Sequence, residues 1–233
     1  MNESWTNTFG VFDLETTGID VRTSRIVTAH VGVLDAQGVL TESHEWLADP
    51  GVEIPAQASA VHGVTTERAR AEGRPAAEVV AEIVSTLRSL FNRGLAVAIY
   101  NAPYDLSLLA HEAARHAIEP LVAPHPVIDP LVIDKAVDRY RKGKRTLEFT
   151  SVHYGVLLEG AHDAEADAVA SGRVALALAA RFADQVPTDA EALHELQRGW
   201  AAEQAASFQE YMRRVKDPTF TASGDWPVHR TAS

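Results

Sequence analysis

Cysteine is absent from this 233-residue chain. Its absence rules out disulfides and thiolate-ligated metal centres, and nothing in the composition requires an oxidising compartment. Long apolar runs are missing too, since no stretch approaches the roughly 18 residues a membrane span needs. The first residues, Met1-Asn2-Glu3-Ser4-Trp5, lack the basic-then-apolar order of a signal peptide, so the expectation is a cytoplasmic protein with no membrane association. Basic residues are few, 21 against 32 acidic, for a formal net charge of −11. That balance excludes a broad basic clamp on duplex DNA. An acidic protein can still act on nucleic acid where contacts are few and metal ions carry the positive charge. Internal repeats and low-complexity segments are likewise absent.

Against this acidic background one run is basic. Arg139-Tyr140-Arg141-Lys142-Gly143-Lys144-Arg145 holds five of the 21 basic residues in seven positions, and the expectation is that it contacts substrate phosphates. Hydrophobic residues make up 46% of the chain, enough for one good core. Thr8, Phe9, Val11 and Phe12 are β-branched or aromatic and predict a buried strand. Residues 25–34 and 39–47, joined by the turn Asp35-Ala36-Gln37-Gly38, predict two more strands in an antiparallel meander. Residues 54–65 read as turn-rich, with Thr65 as the N-cap of one helical turn. Helical spacing of Val79, Val80, Ile83, Leu87 and Leu90 predicts a helix over 76–92. The apolar run 95–99 and the short 127–129 predict a fourth and fifth strand, with helices near 106–116, 131–140, 146–154 and 164–182. The pattern describes an α/β domain over 1–185, a mixed sheet with helices on its faces. Residues 186–233 form an extension: an amphipathic helix near 188–215, carrying Trp200, Phe208 and Tyr211 on or near one stripe, then an extended tail. That stripe is expected to pack on the domain or on a second copy of the chain.

Three places carry chemistry-bearing residues. Asp13 and Glu15, two apart on the first strand, leave the sheet on the same face, where two like charges call for a divalent cation. Asp105 stands at a strand-to-helix junction, the edge of an open α/β sheet where ligands bind. Near 163 a helix begins with Asp163 as N-cap, leaving His162 in the loop and Asp167 one turn inside. Small neighbours (Ala164, Ala166, Ala168, Ala170, Ser171, Gly172) allow that helix to approach the sheet closely.

Asp13-x-Glu15, Asn101-x-x-x-Asp105 and His162-x-x-x-x-Asp167 together resemble the three motifs of the DEDDh family, the DnaQ-like 3′–5′ exonucleases. That family includes the proofreading epsilon subunit of bacterial DNA polymerase III, RNase T and oligoribonuclease. The resemblance spans residues 8–183 and reaches Pro50-Gly51-x-x-Ile54-Pro55 and Val61-His62-Gly63-Val64-Thr65. It implies an RNase H-like five-stranded mixed sheet flanked by helices. The implied activity is hydrolysis of single-stranded DNA or RNA from the 3′ end, releasing nucleoside 5′-monophosphates with two Mg²⁺ or Mn²⁺ ions. On this resemblance Asp13, Glu15, Asp105 and Asp167 are the metal ligands and His162 is the general base. Leu14, Thr16, His62, Asn101 and Tyr104 would line the terminal-nucleotide pocket. Tyr100 stands where members often have His, and Tyr104 where they often have Phe. Implied partners are nucleic-acid 3′ ends and, for a proofreading subunit, a DNA polymerase; a homodimer through the C-terminal helix is a further alternative. The other function classes are an exoribonuclease for RNA trimming and a non-catalytic subunit of a replication complex. The stretch 13–18 also resembles the phosphate loop of actin-like ATPases and sugar kinases, but that fold needs a second glycine-rich loop and a longer chain.

Overall fold

A computed structural model describes residues 4–158 and 160–229. Residues 1–3 of the expected N-terminal segment and 230–233 of the expected tail lie outside the described residues. The chain opens with the expected meander: β1 (Thr8–Thr16), β2 (Ile26–Asp35) and β3 (Leu40–Asp49), each antiparallel to the next. Then come α1 (Ala56–His62), α2 (Thr66–Glu72), β4 (Arg74–Pro75), α3 (Ala76–Asn92), β5 (Val97–Ala98), α4 (Ala102–Arg115) and β6 (Val127–Ile128). Four helices complete the fold: α5 (Pro130–Val137), α6 (Leu147–Tyr154), α7 (Ala164–Arg181) and α8 (Ala190–Val215).

The mixed sheet runs β4-β3-β2-β1-β5-β6, with β5 parallel to β1 and β6 parallel to β5. It has six strands rather than the expected five. The extra one, β4, is two residues long, pairs with the end of β3, and contains Pro75, so neither alternation nor β-propensity announces it. Residues 56–62, expected as turns, form α1; none of its residues is buried, which is why no apolar periodicity marks it. Helix α4 begins at Ala102 rather than near 106, with Pro103 in its first turn.

Strand alternation sorts the core into two layers. Phe12 and Leu14 of β1 join Ile83, Leu87 and Leu109 on the α3–α4 side, while Phe9 and Val11 join Val174 and Leu178 on the α7 side. Helix α7 lies close to the sheet, as its small residues predict. A Cβ added at Gly172 would lie 2.5 Å from Leu34 Cδ1 and 2.7 Å from Val11 Cγ1. No helix among the described residues is long and apolar enough to cross a membrane.

Helix α8 packs on its own domain through part of its expected stripe: Trp200 rests against both core layers. Phe208 and Tyr211 are about half exposed, at 51% and 52%. Leu193, His194 and Gln197, all buried, hold the helix alongside Trp200. The Gln197 amide oxygen accepts from Asp129 N–H at 2.6 Å and its NH₂ donates to the Val127 carbonyl at 3.0 Å, so α8 satisfies β6, the sheet edge, through one side chain. The tail after α8 then returns Trp226 to the core, 7% exposed, where Nε1 donates to Asp129 Oδ2 at 3.2 Å. Trp226→Ala is therefore expected to destabilise by about 3–5 kcal/mol, a fall of about 10 °C in melting temperature for a chain of this size. A thermal melt within 2–3 °C of wild type would show the tail to be a surface appendage.

Candidate active site

Everything converges at the end of β1. Asp13 and Glu15 protrude half-buried on the α7 side, the odd-numbered face. Asp105 reaches the same edge from the first turn of α4; it is 3% exposed, and the N–H groups of Leu14 and Asp105 itself face its carboxylate. Asp167 descends from the first turn of α7. His162 stands in the preceding loop at φ 68°, and its N–H points at the Asp167 carboxylate at 3.3 and 3.4 Å. Ligand atoms of Glu15, His162 and Asp167 all lie within 4.8 Å of one another. Four carboxylates and an imidazole thus meet from four separate elements.

The electrostatics are those of a cation site. Burial, then Asp105, Asp167 and Glu15, push the Asp13 carboxyl well above the usual carboxylate range. Burial, then Asp167 and Asp163, push Glu15 up to about 8. Burial also raises Asp105 strongly and Asp167 less so. Among the described residues no lysine or arginine pairs with any of the four. Crowded carboxylates without protein counter-charges fit divalent ions, because an ion removes both the mutual repulsion and the need for protons.

The residues expected to meet a nucleotide are more dispersed. Thr16 and Tyr104 are bonded together on the other face of β1: their hydroxyls are 2.6 Å apart and both reach the Gly18 carbonyl, at 2.8 and 2.6 Å. The Leu14 side chain is in the core, 5% exposed. Asn101 is exposed, in the left-handed conformation (φ 65°) that asparagine tolerates, just before α4. His62 ends α1, its Nδ1 accepting from Val64 N–H at 3.2 Å, and faces His162 across a cleft of about 350 Å³. Tyr100 turns away from that cleft, its hydroxyl 2.8 Å from both the Arg145 carbonyl and the Thr150 hydroxyl.

One positioning residue was not singled out from the sequence. Asp129 is fully buried at the end of β6 and accepts from Asn101 N–H and Ala102 N–H at 3.0 Å each, as well as from Leu131 N–H. It clamps the start of α4, and so Asp105, to the start of α5. The signal was present, because an acid immediately before Pro130 is an N-cap followed by a first-turn proline.

The basic run is largely committed elsewhere. The Arg141 guanidinium makes two bonds to the Asp134 carboxylate, at 3.0 and 2.8 Å, and Arg145 joins it there while also holding the carbonyls of Asp134 and Asp138. Asp134 is 0% exposed, so these two arginines neutralise a buried charge rather than await a phosphate. Arg139, Lys142 and Lys144 remain on the surface. Arg141→Ala is accordingly expected to cost about 1.5–3 kcal/mol of stability, read by denaturant unfolding, with little change in KM for oligonucleotides. A raised KM with unchanged stability would return Arg141 to the substrate.

A mixed sheet whose strand edge gathers four acids and a histidine defines a nuclease architecture. The chain belongs to the exonuclease family, whose model matches residues 11–175. Among curated relatives it is 32% identical over 178 residues to a DNA polymerase III subunit epsilon-like protein of Rhodobacter capsulatus, covering 73% of this chain and 23% of that protein. It is 29% identical over 168 residues to a PolC-type DNA polymerase III of Streptococcus agalactiae, covering 72% of this chain and 11% of that one. The chain thus spans a quarter or less of the length of these relatives. Among solved structures, E. coli exonuclease I in complex with single-stranded DNA and a zinc ion superposes with a TM-score of 0.65 at 22% identity, covering 76% of this chain and 41% of that one. The same enzyme with a dA16 oligonucleotide gives 0.64 at 20% identity, covering 76% and 42%. These structures share the RNase H-like fold.

Proposed function

We propose that this chain is a metal-dependent 3′–5′ exonuclease that hydrolyses single-stranded DNA or RNA from the 3′ end and releases nucleoside 5′-monophosphates. The observation that carries the reading is the convergence of Asp13, Glu15, Asp105, His162 and Asp167 at one sheet edge without a protein cation among them. In this proposal Asp13, Glu15, Asp105 and Asp167 hold two divalent ions, Mg²⁺ or Mn²⁺. When bound, such ions supply an activated water and stabilise charge on the phosphate and the leaving 3′-oxygen.

The chain's own residues do the rest. His162, at the rim beside Glu15 and Asp167, takes a proton from the attacking water on a ring nitrogen. Asp129 holds Asp105 in place through the Asn101 and Ala102 amides. Leu14, Thr16, His62, Asn101 and Tyr104 are the proposed nucleotide contacts; Thr16, Tyr104 and the Gly18 carbonyl are hydrogen-bonded into one unit, and His62 lines the cleft that also holds His162. The net negative charge suits one strand end held by few contacts better than a long duplex. The polymerase relatives support a polymerase as partner. A homodimer through α8 has less support, since its buried residues face its own domain. A cysteine-free chain suits the cytoplasm.

The test is an assay on 5′-labelled DNA and RNA oligonucleotides with Mg²⁺ or Mn²⁺. A ladder shortening from the 3′ end, abolished by chelator, is the expected result. Equal products with chelator present would overturn the reading, and cleavage of RNA alone would make it an exoribonuclease.

A further inference from the structure

Beside the catalytic edge stands a second group of chemistry-bearing residues that the exonuclease reading leaves unused. Strand pairing puts Asp13, His30 and Glu45 in one row across β1, β2 and β3, all on the face that α7 covers. His30 is 0% exposed in the middle of that row, and neither ring nitrogen has a hydrogen-bond partner. A buried imidazole left unpaired is costly, so native structures seldom keep one without a partner. Its Nδ1 points at the Glu165 carboxylate from 3.9 Å. Ligand atoms of His30, Glu45 and Glu165 lie within 4.8 Å of one another. The two glutamates, from β3 and the first turn of α7, meet over the ring.

We infer that His30 Nδ1, Glu45 and Glu165 form a second cation site, separate from the catalytic cluster, for a divalent transition ion of the zinc type. One imidazole and two carboxylates are a common three-residue set for zinc, with water at the remaining position. The imidazole disfavours Mg²⁺, which prefers oxygen ligands. Both glutamates line the cleft, so an ion can enter. Burial pushes the His30 imidazole down from its ordinary value, which keeps the neutral, ligating form. The Ser43 hydroxyl, 3.5 Å from Glu165 Oε2, orients one ligand from outside. Asp163 is already occupied as the α7 N-cap. Such an ion would pin the first turn of α7 to β2 and β3. That turn also carries Asp167 and follows the loop holding His162, so the site is a brace for the catalytic edge.

The test removes the catalytic cluster first. In an Asp13→Asn, Asp167→Asn background, calorimetric titration with Zn²⁺ is expected to show one site, and Co²⁺ to give a visible absorption band of low coordination number. Adding Glu45→Gln or Glu165→Gln should weaken Zn²⁺ binding at least about tenfold and erase the band; such losses are typical for a removed ligand or its supporting group. Mg²⁺ should not compete. Both glutamates are at or near the surface, so these variants are expected to fold, which circular dichroism checks. His30→Gln removes the nitrogen ligand; should it fail to fold, the ¹⁵N shift of the His30 ring on adding Zn²⁺ reads the same contact in the unaltered row. The proposal is overturned if the Asp13, Asp167 background binds no Zn²⁺, if the glutamate variants bind it unchanged, or if the His30 resonances do not move. These outcomes are independent of nuclease activity, so a failed cleavage assay does not decide them.

Discussion

Asp13→Asn is expected to abolish cleavage, a loss of at least about 10⁴-fold, while leaving the metal-free protein more stable than wild type. A 10⁴-fold loss corresponds to about 5.5 kcal/mol of transition-state stabilisation, which is within reach when a central ligand is removed from a metal cluster. The gain in stability has the same source. Asp13, Glu15, Asp105 and Asp167 repel one another when no ion is present, and each is raised above its ordinary value. A raised carboxyl means that the folded chain binds its proton more tightly than the unfolded one. The corresponding stability is complete below the unfolded value and disappears as pH climbs through the folded one. For Glu15 that window runs from 4.5 to about 8. In chelator, the wild-type melting temperature should fall steadily from pH 5 to pH 8. Asp13→Asn should flatten that fall, and Mg²⁺ or Mn²⁺ should reverse it at pH 8. Wild-type rates in Asp13→Asn would remove this residue from the site. A pH-independent melting curve in chelator would show that the four carboxylates are not coupled to folding.

Replacing His162 is expected to slow turnover by about 10²–10⁴ with little change in KM. The ring stands within 4.8 Å of ligand atoms on Glu15 and Asp167, at the rim where a water can enter, and no packing holds it in the core. A lost general base depresses kcat and kcat/KM together, the sign of a group acting in the transition state. The backbone decides which variant is cleanest. His162 has φ 68°, a conformation that costs alanine about 1–2 kcal/mol but that asparagine adopts readily. His162→Asn should therefore keep the loop, the N–H contacts to Asp167 and the melting temperature, while His162→Ala adds a structural loss. If His162 merely shapes the turn, His162→Asn would keep kcat within a few-fold of wild type, and single-turnover rates and melting temperature measured on the same folded preparation distinguish the two.

Much of this molecule can be read locally. Period-two alternation marks the meander and puts Asp13 and Glu15 on one face. Caps at Thr65 and Asp163, with helical spacing between, mark most helices. The three acid-bearing motifs could be read because each is local, three to six residues long. Their convergence depends on β1, α4 and α7 ending at the same sheet edge. That arrangement follows from parallel β5 beside β1 and from an α7 small enough at Gly172 to touch the sheet.

What only the tertiary structure decided concerns polar groups whose partners are far away in sequence. Composition marked 139–145 as a phosphate binder, but whether an arginine is free depends on what lies beneath it, and here Asp134 is buried there. Of the α8 stripe Trp200 packs on the core while Phe208 and Tyr211 stay half exposed, and Gln197, His194 and the returning Trp226 add anchors from outside the stripe. His30 looked like one more residue of an apolar strand. Strand register, a property of pairing rather than of sequence, set it between Asp13 and Glu45 under Glu165. The sequence alone determined which residues could carry charge to the sheet edge, because alternation and helix caps are short-range. Which charges end up neutralised, shared or left to bind a cation was decided by the fold, because electrostatic pairing in a protein interior is long-range in sequence.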